Sequence, residues 1–248
     1  MKKLLDWILF IPFALTFILS LLVGEILQRL ALPFGRSFHA RSIQIITLLL
    51  MFSLKIFGIR IKINLPIDFK LDPDKTYIVI SNHQSTIDIV LLYYVFFSRV
   101  PRFVAKQELG KWIPTVSFNL RNGHNALIDR NNPRQSIKII AEFAKIINDN
   151  KYLAVIFPEG TRCRRGELKE FMPAGVSALL RYSHMAEIIP VAISNSWKLN
   201  PHDGVPAESF ANVSITVGDI IERTQNVLPQ EIIDQCYNFV KAELCKFS

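Results

Sequence analysis

Two hydrophobic patterns follow one another along the chain. Residues 7–24 carry no charge over eighteen positions, and residues 43–54 form a second, shorter apolar run. As helices these would span roughly 27 Å and roughly 18 Å, against about 30 Å for a bilayer's hydrocarbon core. The first just reaches across; the second does so only by drawing Lys55 and Arg60 inward. Pro12 interrupts the first run, since proline lacks the N–H that a helix interior needs. Arg29, Arg36, His39 and Arg41 lie between the runs and suit anionic lipid headgroups. The pattern predicts a helical pair over residues 1–58 embedded in one leaflet from the cytosolic side, with a single true span as the alternative. No A-x-A-like site follows the apolar core, which argues against a cleaved signal peptide.

From Ile59 the pattern changes. The segment 59–64 alternates Ile59, Ile61 and Ile63 with Arg60, Lys62 and Asn64, the signature of a half-buried strand. Segments 76–81, 102–106, 125–129, 153–157, 187–194 and 212–218 read as further strands. A helix is predicted over 133–148, with Asn132 as its cap and Pro133 at its first position. A C-terminal helix starts near Pro229, with Ile232, Ile233, Cys236, Phe239 and Val240 on one face. Strands alternating with helices predict an α/β domain over 59–248: a mixed, largely parallel sheet flanked by helices.

Composition adds direction. Half of the 248 residues are hydrophobic, the net charge is +8, and the mean hydropathy of +0.26 is concentrated at the N-terminus. A basic chain favours anionic partners. It contains no basic run of five or six and no nucleic-acid-binding module, so a membrane surface is the expected partner rather than nucleic acid. Cys163, Cys236 and Cys245 are odd in number and lack metal-like spacing, which predicts reduced structural thiols in a cytosol-facing protein.

The chemistry concentrates in three polar gaps. The first is Ser81 to Asp88, "SNHQSTID", between two apolar runs. Ser85 to Asp88 matches a capping box, with the Asp88 carboxylate favoured in the first helical turn. In that reading His83 is an incidental loop residue. In the functional reading His83 leaves the end of a strand, where α/β folds place their sites. Asp88 accepts one ring N–H, fixes the tautomer and leaves the other nitrogen as a base. The two readings are compatible. Ser85 has no G-x-S-x-G elbow around it and is a poor nucleophile candidate.

The second gap contains Asp129 and Arg130: a local ion pair, or an arginine directed at the same sheet-edge site. The third follows the strand ending at Phe157 and runs Pro158, Glu159, Gly160, Thr161, Arg162. Gly160 permits a tight turn, and Arg162 offers a planar fork for a phosphate. Glu159 suits the hydroxyls of a polyol, unless it forms a surface salt bridge with Arg162. Arg164 and Arg165 read as a solvated loop. Lys106, at another strand terminus, stands where an anion could be met. His39, His124, His184 and His202 have no partner at an arguable spacing.

Together these residues resemble the PlsC-type glycerolipid acyltransferases, most closely the bacterial 1-acyl-glycerol-3-phosphate acyltransferases. The resemblance covers roughly residues 60 to 220. It rests on N-H-x4-D at Asn82, His83 and Asp88, on Gly123 to Arg130, on F-P-E-G-T-R at Phe157 to Arg162, and on Ile189-Pro190-Val191. Cys163 stands where the family often has serine, and "EFMPAG" replaces a Phe-Lys-x-Gly segment.

The resemblance implies acyl transfer from acyl-CoA or acyl carrier protein to lysophosphatidate at the cytoplasmic face of the cell membrane, with no metal and no cofactor. His83 is implied as the base and Asp88 as its orienting group. Arg162 and Lys106 are implied to bind phosphate with Arg130 assisting, and Glu159, Gly160 and Thr161 to shape the acceptor site. Oxyanion donors are expected among backbone N–H groups near Asn82 or Gly160. The competing expectations are another lysolipid acceptor, or a non-catalytic peripheral protein that binds anionic lipid.

Overall fold

The N-terminal apolar runs fold as two helices packed side by side, α1 (Lys2–Ala31) and α2 (Arg36–Ile56), joined by a short 3-10 turn at Leu32–Phe34. The structure is a computed structural model that describes residues 2–163, 165–200, 207–223 and 227–246. Two expectations are corrected here. Pro12 does not interrupt α1, which continues through it. The basic residues between the two apolar runs belong to the helices themselves: Arg29 lies in α1, paired with Glu25, and Arg36, His39 and Arg41 lie in α2. His39 is buried, with Nε2 3.2 Å from Gln28 Oε1, so it does not face headgroups.

Both helices are long and apolar enough to cross a membrane by length and composition. Yet α1 is tied to the rest of the chain at both ends. Asp6 accepts hydrogen bonds from the Ser209 backbone and hydroxyl, and Lys2 pairs with Glu208. At the other end Glu25 accepts the Thr115 N–H at 2.6 Å, and Gln28 donates to the Thr115 carbonyl at 3.2 Å. The opposite face is bare and apolar from Leu4 through Ile11, Leu15, Leu19 and Leu22 to Leu30, and continues on α2 at Phe38, Ile45, Leu48 and Phe52.

Among the described residues seven strands follow: β1 (Arg60–Asn64), β2 (Tyr77–Ser81), β3 (Arg102–Lys106), β4 (Ala126–Ile128), β5 (Leu153–Ile156), β6 (Glu187–Ser194) and β7 (Asn212–Val217). Their order across the sheet is β1-β7-β6-β2-β5-β3-β4. All pairings are parallel except β6 with β7, so β6, β2, β5, β3 and β4 end on the same edge. Each predicted strand is present, and the sheet is mixed and largely parallel as expected.

Alternation along β2 assigns its two faces. Tyr77 and Val79 belong to a core shared with Leu91 and Leu92 of α3 (Ile87–Val95), with Phe96 just past its end, and with Phe13, Leu54 and Phe57 of the N-terminal segment. Ile78 and Ile80 face α5 (Pro133–Asp149), α6 (Pro173–Tyr182) and α7 (Pro229–Cys245). The N-terminal pair thus covers one face of the sheet. The predicted helices at 133 and 229 form, and Asn132 caps α5 by accepting the Gln135 N–H at 3.2 Å. α6 and the short α4 (Val116–Asn122) were not anticipated.

Candidate active site

The strand ends define the site. His83 lies two residues past β2, the loop 157–162 follows β5, Lys106 closes β3 and Arg130 lies two residues past β4. Because β2, β5, β3 and β4 are adjacent and parallel, these four segments emerge side by side on one edge.

His83 and Asp88 face each other: Nδ1 lies 2.9 Å from Asp88 Oδ2. The same oxygen accepts the backbone N–H groups of Gln84 at 2.7 Å and Ser85 at 2.8 Å. The helix-start carboxylate and the histidine partner are therefore one group, fully buried. Three N–H donors converge on a carboxylate that cannot donate, so Nδ1 carries a proton, and in the neutral ring the lone pair then falls on Nε2. The His83 side chain is 15 % exposed and lies against Phe157 in a stack, centroids 4.1 Å apart.

Glu159 ties the first loop to the third. Its Oε1 accepts the His83 backbone N–H at 2.7 Å and its Oε2 accepts the Lys169 backbone N–H at 3.2 Å. Each oxygen accepts one N–H from the protein, so Glu159 braces the loops that carry the site. Burial pushes its carboxyl up to about 7, against the lowering effect of those two N–H groups. The His83 carbonyl accepts the Cys163 N–H at 2.7 Å, a second strut between the loops. Asn82 clamps the base of the site: its amide donates to the Ile193 carbonyl and accepts the Ile193 N–H, both at 2.8 Å.

A cationic rim surrounds this centre. Arg130 donates to the Gly160 carbonyl rather than pairing with Asp129. Gly160 has φ +68°, the left-handed region that favours glycine. Its N–H bonds the Phe157 carbonyl at 3.2 Å, and the His83 N–H is taken by Glu159, so neither is a free oxyanion donor. Arg162 is exposed and reaches Thr86 Oγ1 at 3.4 Å, not Glu159. Lys106 is close to half exposed and pairs with Glu108 at 3.2 Å. Lys169, unremarked in the sequence, donates to Thr161 Oγ1 at 2.9 Å and to the Arg162 carbonyl at 3.2 Å.

Beneath the rim lies a cavity of about 440 Å³. His83, Lys106, Arg130 and Phe157 line it together with Phe10, Phe13, Phe17 and Leu21 of α1 and Ile43, Ile46 and Leu50 of α2. Its lining extends along α1 from Phe10 to Gln28, roughly 27 Å of helix. No sequence motif marked this space, because its walls come from segments far apart along the chain.

Other candidates stand apart. Ser85 is fully buried, with its hydroxyl donating to Asn200 Oδ1 at 3.0 Å. Cys163 and Cys236 are buried free thiols and Cys245 is exposed. Arg164 and His202 lie outside the described residues. Phe171 of the altered "EFMPAG" segment packs edge-on against Tyr237 of α7 at 5.2 Å.

Known proteins share this fold. The fold matches the crystal structure of PlsC, the 1-acyl-sn-glycerophosphate acyltransferase of Thermotoga maritima, with a TM-score of 0.79 over all of this chain and 98% of that one, at 18% identity. The chain is 29% identical over 161 residues to the Mus musculus 1-acyl-sn-glycerol-3-phosphate acyltransferase alpha, covering 64% of this chain and 54% of that protein. It is 32% identical over 134 residues to the 1-acyl-sn-glycerol-3-phosphate acyltransferase of Helicobacter pylori, covering 54% of each. The chain spans about half the length of the curated relatives it matches. Residues 62–194, more than half of the chain, match the family model described as Acyltransferase. That segment runs from within β1 to the last residue of β6 and contains His83, Asp88, Lys106, Arg130, Glu159 and Arg162, and by it the chain belongs to the Acyltransferase family.

Proposed function

We propose that this protein transfers an acyl group from acyl-CoA or acyl carrier protein to the sn-2 hydroxyl of 1-acyl-glycerol-3-phosphate, giving phosphatidic acid. The observation that carries this reading is a carboxylate-held imidazole on the wall of an apolar cavity rimmed by cations. The matched relatives named 1-acyl-sn-glycerol-3-phosphate acyltransferase support the same acceptor.

In this mechanism the acceptor phosphate binds at Lys106 and Arg162, with Arg130 holding the Gly160 turn beside them. Gly160 and Thr161 shape the acceptor site, and Glu159 braces it. His83 Nε2 removes the proton from the acceptor hydroxyl as its oxygen attacks the thioester carbonyl. Asp88 stabilises the imidazolium that forms. The tetrahedral intermediate then expels the thiol, whose sulfur takes the proton back from Nε2, and an oxygen ester replaces the thioester. Base catalysis contributes ~10²–10⁴-fold, and alignment of two bound reactants contributes up to roughly 7–11 kcal/mol. The apolar cavity receives acyl chain.

Residues 1–58 act as a membrane-embedded pair and 59–248 as the catalytic domain, at the cytoplasmic face. Attachment of α1 to the sheet domain at both ends favours immersion in one leaflet over a span, because a span would pull one end away. The lipid-facing stripe of Leu15, Leu19 and Leu22 then lies in the acyl region.

The test is acyl transfer by membranes carrying the chain, with lysophosphatidate set against lysolipids that lack a terminal phosphate. Preference for lysophosphatidate is expected. Equal kcat/KM for the others would replace the acceptor assigned here.

A further inference from the structure

A second concave site lies on the other flank of the catalytic strand. β2 has β5 on one side and β6 on the other. The cationic rim stands on the β5, β3 and β4 side. Just past the end of β6, a separate pocket of about 310 Å³ is lined by Gln84, Arg165, Trp197 and Lys198, among others. Its size falls at the low end of small-molecule sites, roughly 300–1,000 Å³.

Three features equip it for a nucleotide. The Trp197 indole lines it, with Gly166 packed so closely that a Cβ there would come within 2.5 Å of Nε1, and with Lys198 Nζ over the ring, 5.7 Å from its centroid. A held indole is a stacking platform for a base. Arg165 and Lys198 bring two positive charges, and among the described residues neither has a carboxylate within ion-pair distance. Glu167 also lines the pocket and keeps the net charge at one positive unit. The pocket is also fastened to the catalytic loop: Gln84, next to His83, donates to the Gly166 carbonyl at 3.5 Å, and Asn200 donates to the Gln84 carbonyl at 2.8 Å.

We infer that this pocket binds the adenine nucleotide of an acyl-CoA donor, with the base against Trp197 and the phosphates at Arg165 and Lys198. The inference rests on the acyl-transfer reading. That reaction needs two anionic substrates to meet at His83, and the rim past β3 to β5 serves the acceptor phosphate. A small concave site fits a nucleotide; the helical surface of a carrier protein needs a broad convex-on-flat contact.

Adenosine 3′,5′-bisphosphate, the nucleotide of CoA without its pantetheine arm, separates the possibilities. Titrated calorimetrically into the full chain, it should bind, and R165A/K198A should weaken it at least tenfold, while Arg165→Lys with Lys198→Arg restores it. In the transfer assay R165A/K198A should raise the KM for acyl-CoA at least tenfold without moving the KM for lysophosphatidate. No binding to the wild-type chain, or equal binding to R165A/K198A, overturns the assignment whatever the enzyme's activity. Binding that depends on the two cations in a protein that fails to acylate lysophosphatidate keeps the nucleotide pocket and removes the acceptor proposed above.

Discussion

The imidazole of His83 lies flat on the ring of Phe157, with centroids 4.1 Å apart and planes 14° from parallel. Phe157 in turn faces Phe103 at 6.3 Å. The stack fixes the plane of the ring while Asp88 fixes its rotation, so Nε2 has one direction open to it. Phe157→Leu should lower kcat about tenfold with acceptor KM unchanged, and Phe157→Tyr should retain most of the rate. Steady-state kinetics of both variants check this; an unchanged kcat in Phe157→Leu would remove the stack from the catalytic geometry.

Asp88 Oδ2 receives the His83 ring N–H and two backbone N–H groups. In Asp88→Asn the charge that favours the imidazolium is gone, and an amide nitrogen replaces one oxygen. We expect a fall in kcat of about 10³-fold, within the range of general-base losses, and His83→Ala should abolish transfer. Both variants should still sediment with liposomes, since α1 and α2 are untouched.

The Arg162 side chain is exposed, and its one hydrogen bond among the described residues is long, to Thr86 at 3.4 Å. Its removal costs the fold little, because surface groups contribute within about 0.5 kcal/mol. Arg162→Ala should raise the KM for lysophosphatidate more than tenfold and leave that of the donor within twofold. An unaltered acceptor KM would take Arg162 out of the phosphate site.

Glu159 makes stability pH-dependent. Its folded pKa of about 7 lies above the ordinary value of 4.5, burial being the main cause. Between these values the folded state binds more proton than the unfolded state, so stability falls as pH rises from about 4.5 through 7. The full effect is of order 3 kcal/mol. Glu159→Gln cannot ionise. Denaturant melts of this variant at pH 5 and pH 8 should differ less than those of the wild type. A slope identical to the wild type's would show that Glu159 titrates normally.

Ala14 of α1 lines the apolar cavity. Ala14→Phe would project a ring into it. Long-chain donors should lose at least tenfold in kcat/KM and short-chain donors much less, as measured with a series of acyl-CoA lengths. Equal losses at every length would mean that the cavity does not hold the donor chain.

The sequence by itself determined the sheet and the paired apolar helices, and it offered the pairing of His83 with Asp88 as one of two readings. All of these are written in local periodicity or in positions five apart, where backbone geometry alone brings groups together. Strand ends carrying Lys106, Arg130 and Arg162 were legible for the same reason: polar residues at the close of apolar runs must leave the core. Shorter elements were not. α4 has seven residues, too few for a helical period to stand out. Pro12 misled because the loss of one backbone hydrogen bond is tolerated in a long helix held at both ends. His39 misled because its partner, Gln28, reaches it only when α1 and α2 lie side by side. Tertiary structure alone decided that Glu159 spends its oxygens on the loops of His83 and Lys169, that Phe157 backs the imidazole, and that a cavity opens between the helical pair and the sheet. These depend on contacts between segments tens to more than a hundred residues apart, whose distances are set by the strand order and appear in no local pattern.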